Sequence, residues 1–291
     1  MRFGIYSNNS RDIGYEAAVS VSRMLMDKGC SVVFPDSFSG TVIKEVENVE
    51  FGSFEGCDMI ISIGGDGTFL SVISEYRDLD IPFIGINKGS IGFLAEITEF
   101  PVDEKIDMVL NGEYEIMERF QLTCELYDRD GRLKATDVCL NDVSVLRGSR
   151  PHIVKLSLHI NGERVEMFYG DGIVVATPTG STAYTLAAGG PLIMPNMDVM
   201  LISPICSHTL QNMSYVLGPE NEVEIHLLDF ESSPIVCPDG REMGPLKQYD
   251  VLKIRRNEKT VKTVKLNTSG FFQNVRKKIV ARGSFYENGQ E

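Results

Sequence analysis

The residues that most constrain this chain run from Ile60 to Leu70. The apolar run Ile60-Ile61-Ser62-Ile63 stops at Gly64 and Gly65. Asp66 follows, and Gly67, Thr68, Phe69 and Leu70 open a helix-like pattern. Short apolar runs bounded by glycine read as buried strands. Glycine directly after a strand lets the backbone turn sharply and approach a ligand closely. The amides that follow would project from a helix N-terminus, where phosphate is attracted. A carboxylate in that place repels phosphates, so simple binding does not favour it. Asp66 makes sense there if it accepts a proton or works with a metal. The chain contains no G-x-x-x-x-G-K-[ST] loop, and this stretch lacks the G-x-G-x-x-G spacing. Taken alone, a strand followed by Gly64-Gly65-Asp66-Gly67 also fits a plain tight turn.

A length of 291 residues favours two domains and is ample for a large core. The formal net charge of −13 argues against nucleic acid as a partner. It also means that any phosphate ligand needs a local positive field, which points to Mg²⁺ rather than a bare anion site. The first residues do not read as a signal peptide, and no apolar stretch approaches the ~20 residues of a membrane span. Cys30, Cys57, Cys124, Cys139, Cys206 and Cys237 are scattered and form no C-x-x-C pair. They read as free thiols in a reducing cytoplasm, and no zinc site is expected: Cys206 and His208 lack a second ligand pair.

The first hundred residues alternate. Strands are predicted at Arg2–Ser7, Ser31–Phe34, Met59–Ile63 and Phe83–Ile86, with helices at Tyr15–Lys28 and Phe69–Tyr76. That alternation implies a parallel α/β sheet, Rossmann-like, with ligands at the carboxyl ends of its strands. From about residue 115 strands follow one another: Glu118–Tyr127, Lys134–Val138, Asp142–Leu146, Val154–Ile160, Val165–Tyr169 and Gly172–Thr177, then Glu222–Leu228, Ile235–Cys237 and Asp250–Arg255. Asn161-Gly162 between two of them resembles a hairpin turn. The expected organisation is an α/β domain over residues 1–112, a β-rich, sandwich-like domain over 113–268, and a tail from 269 to 291 that returns to the first domain. Phe271–Val280 reads as a basic amphipathic helix.

Further elements fall in order along the chain: Asn87-Lys88-Gly89-Ser90-Ile91-Gly92-Phe93-Leu94, then Leu140-Asn141-Asp142-Val143, then Gly170-Asp171-Gly172 followed by Thr177-Pro178-Thr179-Gly180-Ser181-Thr182-Ala183-Tyr184. Together with Gly64-Gly65-Asp66-Gly67-Thr68 they resemble the NAD kinase family over most of the chain. Lipid kinases and phosphofructokinases carry stretches like the first element, so the run from Thr177 to Tyr184 is the specific one. The resemblance implies transfer of the γ-phosphate of ATP to the 2′-hydroxyl of the adenosine ribose of NAD, giving NADP. It also implies a divalent metal, an active site between the two domains, and a homodimer or homotetramer.

The resemblance assigns roles to residues. Asp66 becomes the general base, since a sugar hydroxyl is a poor nucleophile until its proton is removed. Gly65, Gly67 and Thr68 would lie against the triphosphate through backbone amides. Phe69 would pack near the dinucleotide or, as an aromatic at a helix start, join the core. Asn141 and Asp142 would hold the adenosine end of NAD, with aspartate standing where the family often has glutamate. Asp171 would meet the nicotinamide side. Thr182, Ala183 and Tyr184 match the adenine-binding element, with Thr179, Ser181 and Ala187 as neighbours. His152 matches a contact position or is a surface histidine. Tyr169 stands where the family often has arginine and cannot reproduce its charge pairing. Arg241 lies where the family places a residue near the dinucleotide, often from a neighbouring subunit. The closing segment Phe271–Lys278 resembles the family's, although the chain has no tryptophan. No residue cluster forms a dedicated cation cage, which fits Mg²⁺ arriving on the nucleotide.

Two other readings fit the residues. One is a lipid or sugar kinase sharing the Gly-Gly-Asp-Gly-Thr element. The other is a non-catalytic sensor of NAD or NADP, against which Asp66 stands.

Overall fold

The computed structural model describes residues 1–89, 92–98, 100–148, 152–208, 213–228, 233–266 and 270–276. The chain forms two compact units. One comprises residues 1–118 and the chain from 261 onward; the other comprises 119–260.

The first unit is built on β1 (Arg2–Ser7), α1 (Glu16–Asp27), β2 (Ser31–Phe34), β3 (Glu50–Phe51), β4 (Met59–Gly64), α2 (Asp66–Tyr76), β5 (Phe83–Asn87), α3 (Asp103–Leu110) and β6 (Glu115–Arg119). The sheet order is β3-β2-β1-β4-β5, then the strand Val261–Lys265, then β6. Pairing from β3 through to Val261–Lys265 is parallel. Every residue of β4 and β5 is buried, which is why both read as unbroken apolar runs. Helix α1 buries Ala17, Ala18, Val21 and Leu25 on one face. Its N-terminus is held by the buried carboxylate of Asp12, which accepts the amides of Ala17 and Ala18 at 2.8 and 3.0 Å and the hydroxyl of Ser7 at 2.8 Å. The order 3-2-1-4-5 reverses between β1 and β4. Loops leaving the carboxyl ends of two such strands diverge and open a crevice.

The second unit contains β7 (Leu122–Tyr127), β8 (Leu133–Cys139), β9 (Asp142–Leu146), β10 (Val154–Ile160), β11 (Glu163–Gly170), β12 (Gly172–Ala176), α4 (Tyr184–Ala187), β13 (Met200–Ile205), β14 (Tyr215–Leu217), β15 (Val223–Leu227), β16 (Ile235–Pro238), β17 (Gly244–Pro245) and β18 (Val251–Arg256). They form two antiparallel six-stranded sheets, β11-β10-β15-β18-β7-β8 and β14-β13-β12-β9-β16-β17. Alternate side chains of both sheets, among them Leu156, Ile225 and Leu252 from one and Val143, Ile173 and Ile202 from the other, share one core. Asn161 and Gly162 both adopt positive φ, 52° and 80°, between the paired strands β10 and β11. That is the backbone of a tight primed turn, as Asn-Gly predicts.

Two expectations shift. The single strand over Glu118–Tyr127 is two, because the chain leaves one unit for the other at Phe120 and Gln121. The structural division falls at 118/119 and 260/261 rather than at 112/113 and 268/269. The cause is that β6 and Val261–Lys265 belong by pairing to the α/β sheet. Residues 271–276 are helical; positions 277–280 of the expected helix lie outside the described residues.

Candidate active site

In the first unit, β4 ends at Gly64, whose φ of +157° favours glycine. A Cβ there would meet Oγ1 of Thr68 at 2.5 Å, so the loop folds directly onto the next helix turn. Thr68 is buried, and its hydroxyl accepts Nδ2 of Asn8 at 3.2 Å, tying the loop after β4 to the loop after β1. Helix α2 starts at Asp66. Gly65 is its N-cap and supplies no side-chain hydrogen bond. The first-turn amides, which have no partner within a helix, therefore remain for a ligand. Phe69 is buried, and its ring lies where a Cβ on Gly85 would touch it at 3.1 Å. Its ring thus packs beneath the loop.

Asp66 is clamped from the segment after β5. Its Oδ2 accepts the amide of Phe93 at 2.7 Å, and its Oδ1 accepts that of Leu94 at 3.0 Å. Gly92 makes this approach possible: a Cβ there would stand 2.1 Å from Oδ1. Two fixed donors orient the carboxylate and leave each oxygen lone pairs for an incoming proton. A cleft of ≈ 490 Å³ opens here, lined by Asn8, Arg11, Gly65, Asp66, Gly67 and Gly92 among others. Its position is the switch point between β1 and β4. Arg11 is the one basic residue among those lining it, a positive charge beside a helix N-terminus in a chain of net charge −13. Sequence reading missed Asn8 and Arg11. The available signal was their place in the loop after the first strand of a parallel sheet.

In the second unit the Leu140-Asn141-Asp142 backbone wraps a carboxylate that sequence reading did not single out. Asp239 accepts the amides of Leu140, Asn141 and Asp142 at 2.9, 2.7 and 3.2 Å. Its own amide donates to the carbonyl of Asp142 at 2.8 Å. The run from Thr177 to Thr182 then closes over Asn141. Thr177 donates its amide to the Asn141 carbonyl at 2.8 Å and its hydroxyl to the Leu140 carbonyl. Gly180 passes so close that a Cβ would lie 2.1 Å from the Asn141 carbonyl oxygen. Ser181 bonds the carbonyl of Pro178 and both the amide and the carbonyl of Ile193. The Thr182 hydroxyl donates to the Thr179 carbonyl. These two hydroxyls are thus spent on holding the loop. By contrast Asn141 Oδ1, Thr179 Oγ1 and Thr185 Oγ1 are buried without a hydrogen-bond partner among the described residues. Buried polar atoms left open in this way are able to accept a ligand's hydrogen bonds. Thr185 was not expected.

The same neighbourhood is strongly acidic. Burial, and then the charge of Asp239, push the Asp142 carboxyl up to about 7. Burial also raises Asp239, against the three amides and Arg241 that hold its charge. The Tyr184 hydroxyl is raised by partial burial and by the charges of Cys206, Asp171 and Asp142, which places these groups around one ring. Tyr184 and Ala187 are exposed and Ala183 is half-buried, so this edge is open to a partner.

Asp171 pairs with Arg147 at 3.1 Å. Arg241 lies against Asp137 at 2.9 Å and Asp239 at 3.8 Å. It therefore braces the carboxylate that holds Asn141 and Asp142. His152 is exposed, and Tyr169 is half-buried on β11 with its carbonyl accepting the His208 amide.

These features define a class: a kinase-type scaffold with a phosphate-seeking helix N-terminus, an anchored carboxylate beside it, and a separate polar pocket in a β-sandwich. The comparisons sharpen it. Residues 3–114 match the model of the ATP-NAD kinase N-terminal domain, and residues 140–266 match that of the ATP-NAD kinase C-terminal domain. The chain is 36% identical to the NAD kinase of Ruminiclostridium cellulolyticum, covering 97% of this chain and 98% of that protein. It is 38% identical to the NAD kinase of Desulforamulus reducens over 77% of each. Its fold is shared by yeast NADH kinase, solved in complex with NADH (TM-score 0.85, 22% identity, 96% of this chain and 87% of that one). An NAD kinase from Archaeoglobus fulgidus, solved in complex with ATP, also shares it (TM-score 0.75, 22% identity, 97% and 99%). The chain belongs to the NAD kinase family.

Proposed function

We propose that this chain phosphorylates NAD with ATP, and that Asp66 is the general base. The 2′-oxygen of the adenosine ribose attacks the γ-phosphorus. A new O–P bond forms, the bond to the β-phosphate oxygen breaks, and ADP leaves. Asp66 takes the hydroxyl proton as attack proceeds and later passes it to water. The observation that carries this reading is the two-amide clamp on Asp66 at the mouth of α2. A carboxylate used only for binding phosphate would be repelled by it, whereas a base must be held in one orientation.

Amides of the first turn of α2, at Gly65, Gly67 and Thr68, would hold phosphate oxygens, with Arg11 adding charge. Asn141, Thr179 and Thr185 would bond the dinucleotide with the atoms now left open, and Asp142 would accept from ribose hydroxyls. Asp171, Thr182, Ala183, Tyr184 and Ala187 would complete the pocket. Ser181 acts by holding the loop, and His152 and Tyr169 are the outlying candidates.

A divalent cation fits here as a passenger on the nucleotide. Among the described residues no group of three ligating side chains includes Asp66. The donor set suits Mg²⁺ held chiefly by phosphate oxygens and water, with Asp66 as the carboxylate lining the cleft. Bound there, it would offset charge on the phosphates. No helix among the described residues is long and apolar enough to cross a membrane. Six free cysteines suit a cytoplasmic enzyme. Assembly as a homodimer or homotetramer is part of this reading and is checked by light scattering.

The test is NADP formation from NAD, ATP and Mg²⁺, with Asp66→Asn beside the wild type and NAD binding measured by calorimetry. The variant should bind NAD yet lose at least about 10²-fold in kcat. Full turnover by the variant would remove Asp66 from the chemistry. Absence of NADP from the wild type with any nucleotide donor would remove the activity.

A further inference from the structure

Strand β10 pairs antiparallel with β15, placing Ser157 opposite His226 and His159 opposite Glu224. Leu156, Leu158, Val223, Ile225 and Leu227 of these strands enter the sandwich core. The residues alternating with them face the other way, so His159, Glu224 and His226 share the outer face of the sheet. Their donor atoms all lie within 4.8 Å of one another. Nε2 of His226 stands 3.2 Å from Oε2 of Glu224, and the two imidazole rings are 4.4 Å apart between centroids.

We propose that His159, Glu224 and His226 form a site for a zinc-class divalent cation, separate from the nucleotide chemistry. Two imidazoles and one carboxylate are an established three-ligand set for such ions, with a fourth position left to water. Ligands at about 2.0–2.2 Å around a tetrahedral ion stand roughly 3.3–3.5 Å apart, close to the His226–Glu224 separation. The longer separations close by rotation of the His159 ring, which exchanges its hydrogen bond with Ser157 Oγ (2.8 Å) for the ion.

The surroundings orient the ligands. Lys253 takes Oε1 of Glu224 at 2.7 Å and also Oε1 of Glu222 at 3.0 Å, leaving Oε2 of Glu224 turned toward the histidines. Such second contacts fix a ligating carboxylate in place. The Lys253 charge also weakens the pull on a cation. Neutral imidazole is the form that ligates. Sequence spacing hides this set, because His159 and the Glu224–His226 pair come from distant parts of the chain and only strand register brings them together.

The experiment titrates Co²⁺ and then Zn²⁺ into the chelator-treated full chain, with His159→Ala, His226→Ala and the near-isosteric Glu224→Gln alongside. Circular dichroism confirms that each variant is folded. The expected result is one equivalent of Co²⁺ bound with visible ligand-field bands and no thiolate-to-cobalt absorption. Affinity should fall at least tenfold in the histidine variants and in Glu224→Gln. Zn²⁺ should raise the melting midpoint of the wild type only. Absence of saturable binding below about 1 mM, equal binding by the variants, or a thiolate signature from the cysteines would each overturn the proposal.

Discussion

Gly92 gives the sharpest test of how Asp66 is held. Replacing it with alanine puts a Cβ 2.1 Å from Oδ1, 2.6 Å from Cγ and 2.9 Å from Oδ2 of Asp66. Ordinary contact begins near 3.4 Å, so the carboxylate must retreat by about 1.3 Å. That displacement breaks or stretches the bonds from Phe93 and Leu94, each a charged hydrogen bond contributing about 1.5–3 kcal/mol. A misplacement near 1 Å is enough to cost a reaction about 10²-fold. Gly92→Ala should therefore lower kcat by about that factor or more. KM for NAD should change little, because the second unit's pocket is untouched. Steady-state NADP formation measures both. The double variant with Asp66→Asn separates the mechanism from general damage. If Gly92 acts only through Asp66, the pair should be no slower than Asp66→Asn alone. A Gly92→Ala enzyme within threefold of the wild type, or losses that multiply in the double variant, would refute the clamp.

Asp142→Asn tests the acidic pocket. A carboxyl whose folded pKa is raised from 3.8 to about 7 gives stability that is complete below the lower value and lost as pH rises through the higher one. The loss amounts to about 4 kcal/mol above pH 8. The uncharged variant should be the more stable by up to that amount at pH 8, by a margin that shrinks on acidification to pH 4, as denaturant unfolding will show. Gly180→Ala forces a Cβ against the Asn141 carbonyl and should cost about 1–3 kcal/mol while raising KM for NAD; an unchanged melting point and KM would argue against the close approach. Asp239→Ala strips the acceptor from three amides, at about 1–3 kcal/mol each. Faster hydrogen exchange at Leu140, Asn141 and Asp142, with weakened NAD binding, is the expected outcome.

Much of the fold was legible because local signals agreed with the tertiary outcome. Met59–Ile63 and Phe83–Ile86 are short apolar runs because both faces of a parallel sheet are covered. Asn161-Gly162 announced its turn because only such residues take two positive φ values cheaply. Met200–Ile205 escaped notice because Pro204 interrupts its pattern; the proline sits beyond the last residue of that strand paired with β14. Strand Val261–Lys265 escaped because Val-Lys-Thr-Val-Lys is neither an apolar run nor a strict alternation, yet it joins a parallel sheet begun far earlier.

The site divides in the same way. Asp66 and the run from Thr177 to Tyr184 were visible as motifs, since glycines and a lone carboxylate have few other uses in such spacing. Phe69 left two readings open in the sequence, core or ligand contact, and in the structure its side chain is buried. Asp239, Arg11 and Thr185 were invisible because their roles depend on contacts between distant segments. Arg241 was singled out for the ligand; its ion pairs with Asp137 and Asp239 could not be read from the sequence.

The return of Val261–Lys265 to the first sheet bears on the order in which a ribosome can deliver this structure. That strand stands between β5 and β6, so β6 has no neighbour on its inner side until it arrives. The 142 residues of the second unit, 119 to 260, must be synthesised in between. At about 5–20 residues per second this interval lasts on the order of ten seconds. During it β5 presents an open edge of parallel sheet, and the antiparallel unit itself is completed only when β18 (Val251–Arg256) takes its place between β15 and β7. Birth of the phosphate-binding half thus finishes last, although its sequence begins the chain.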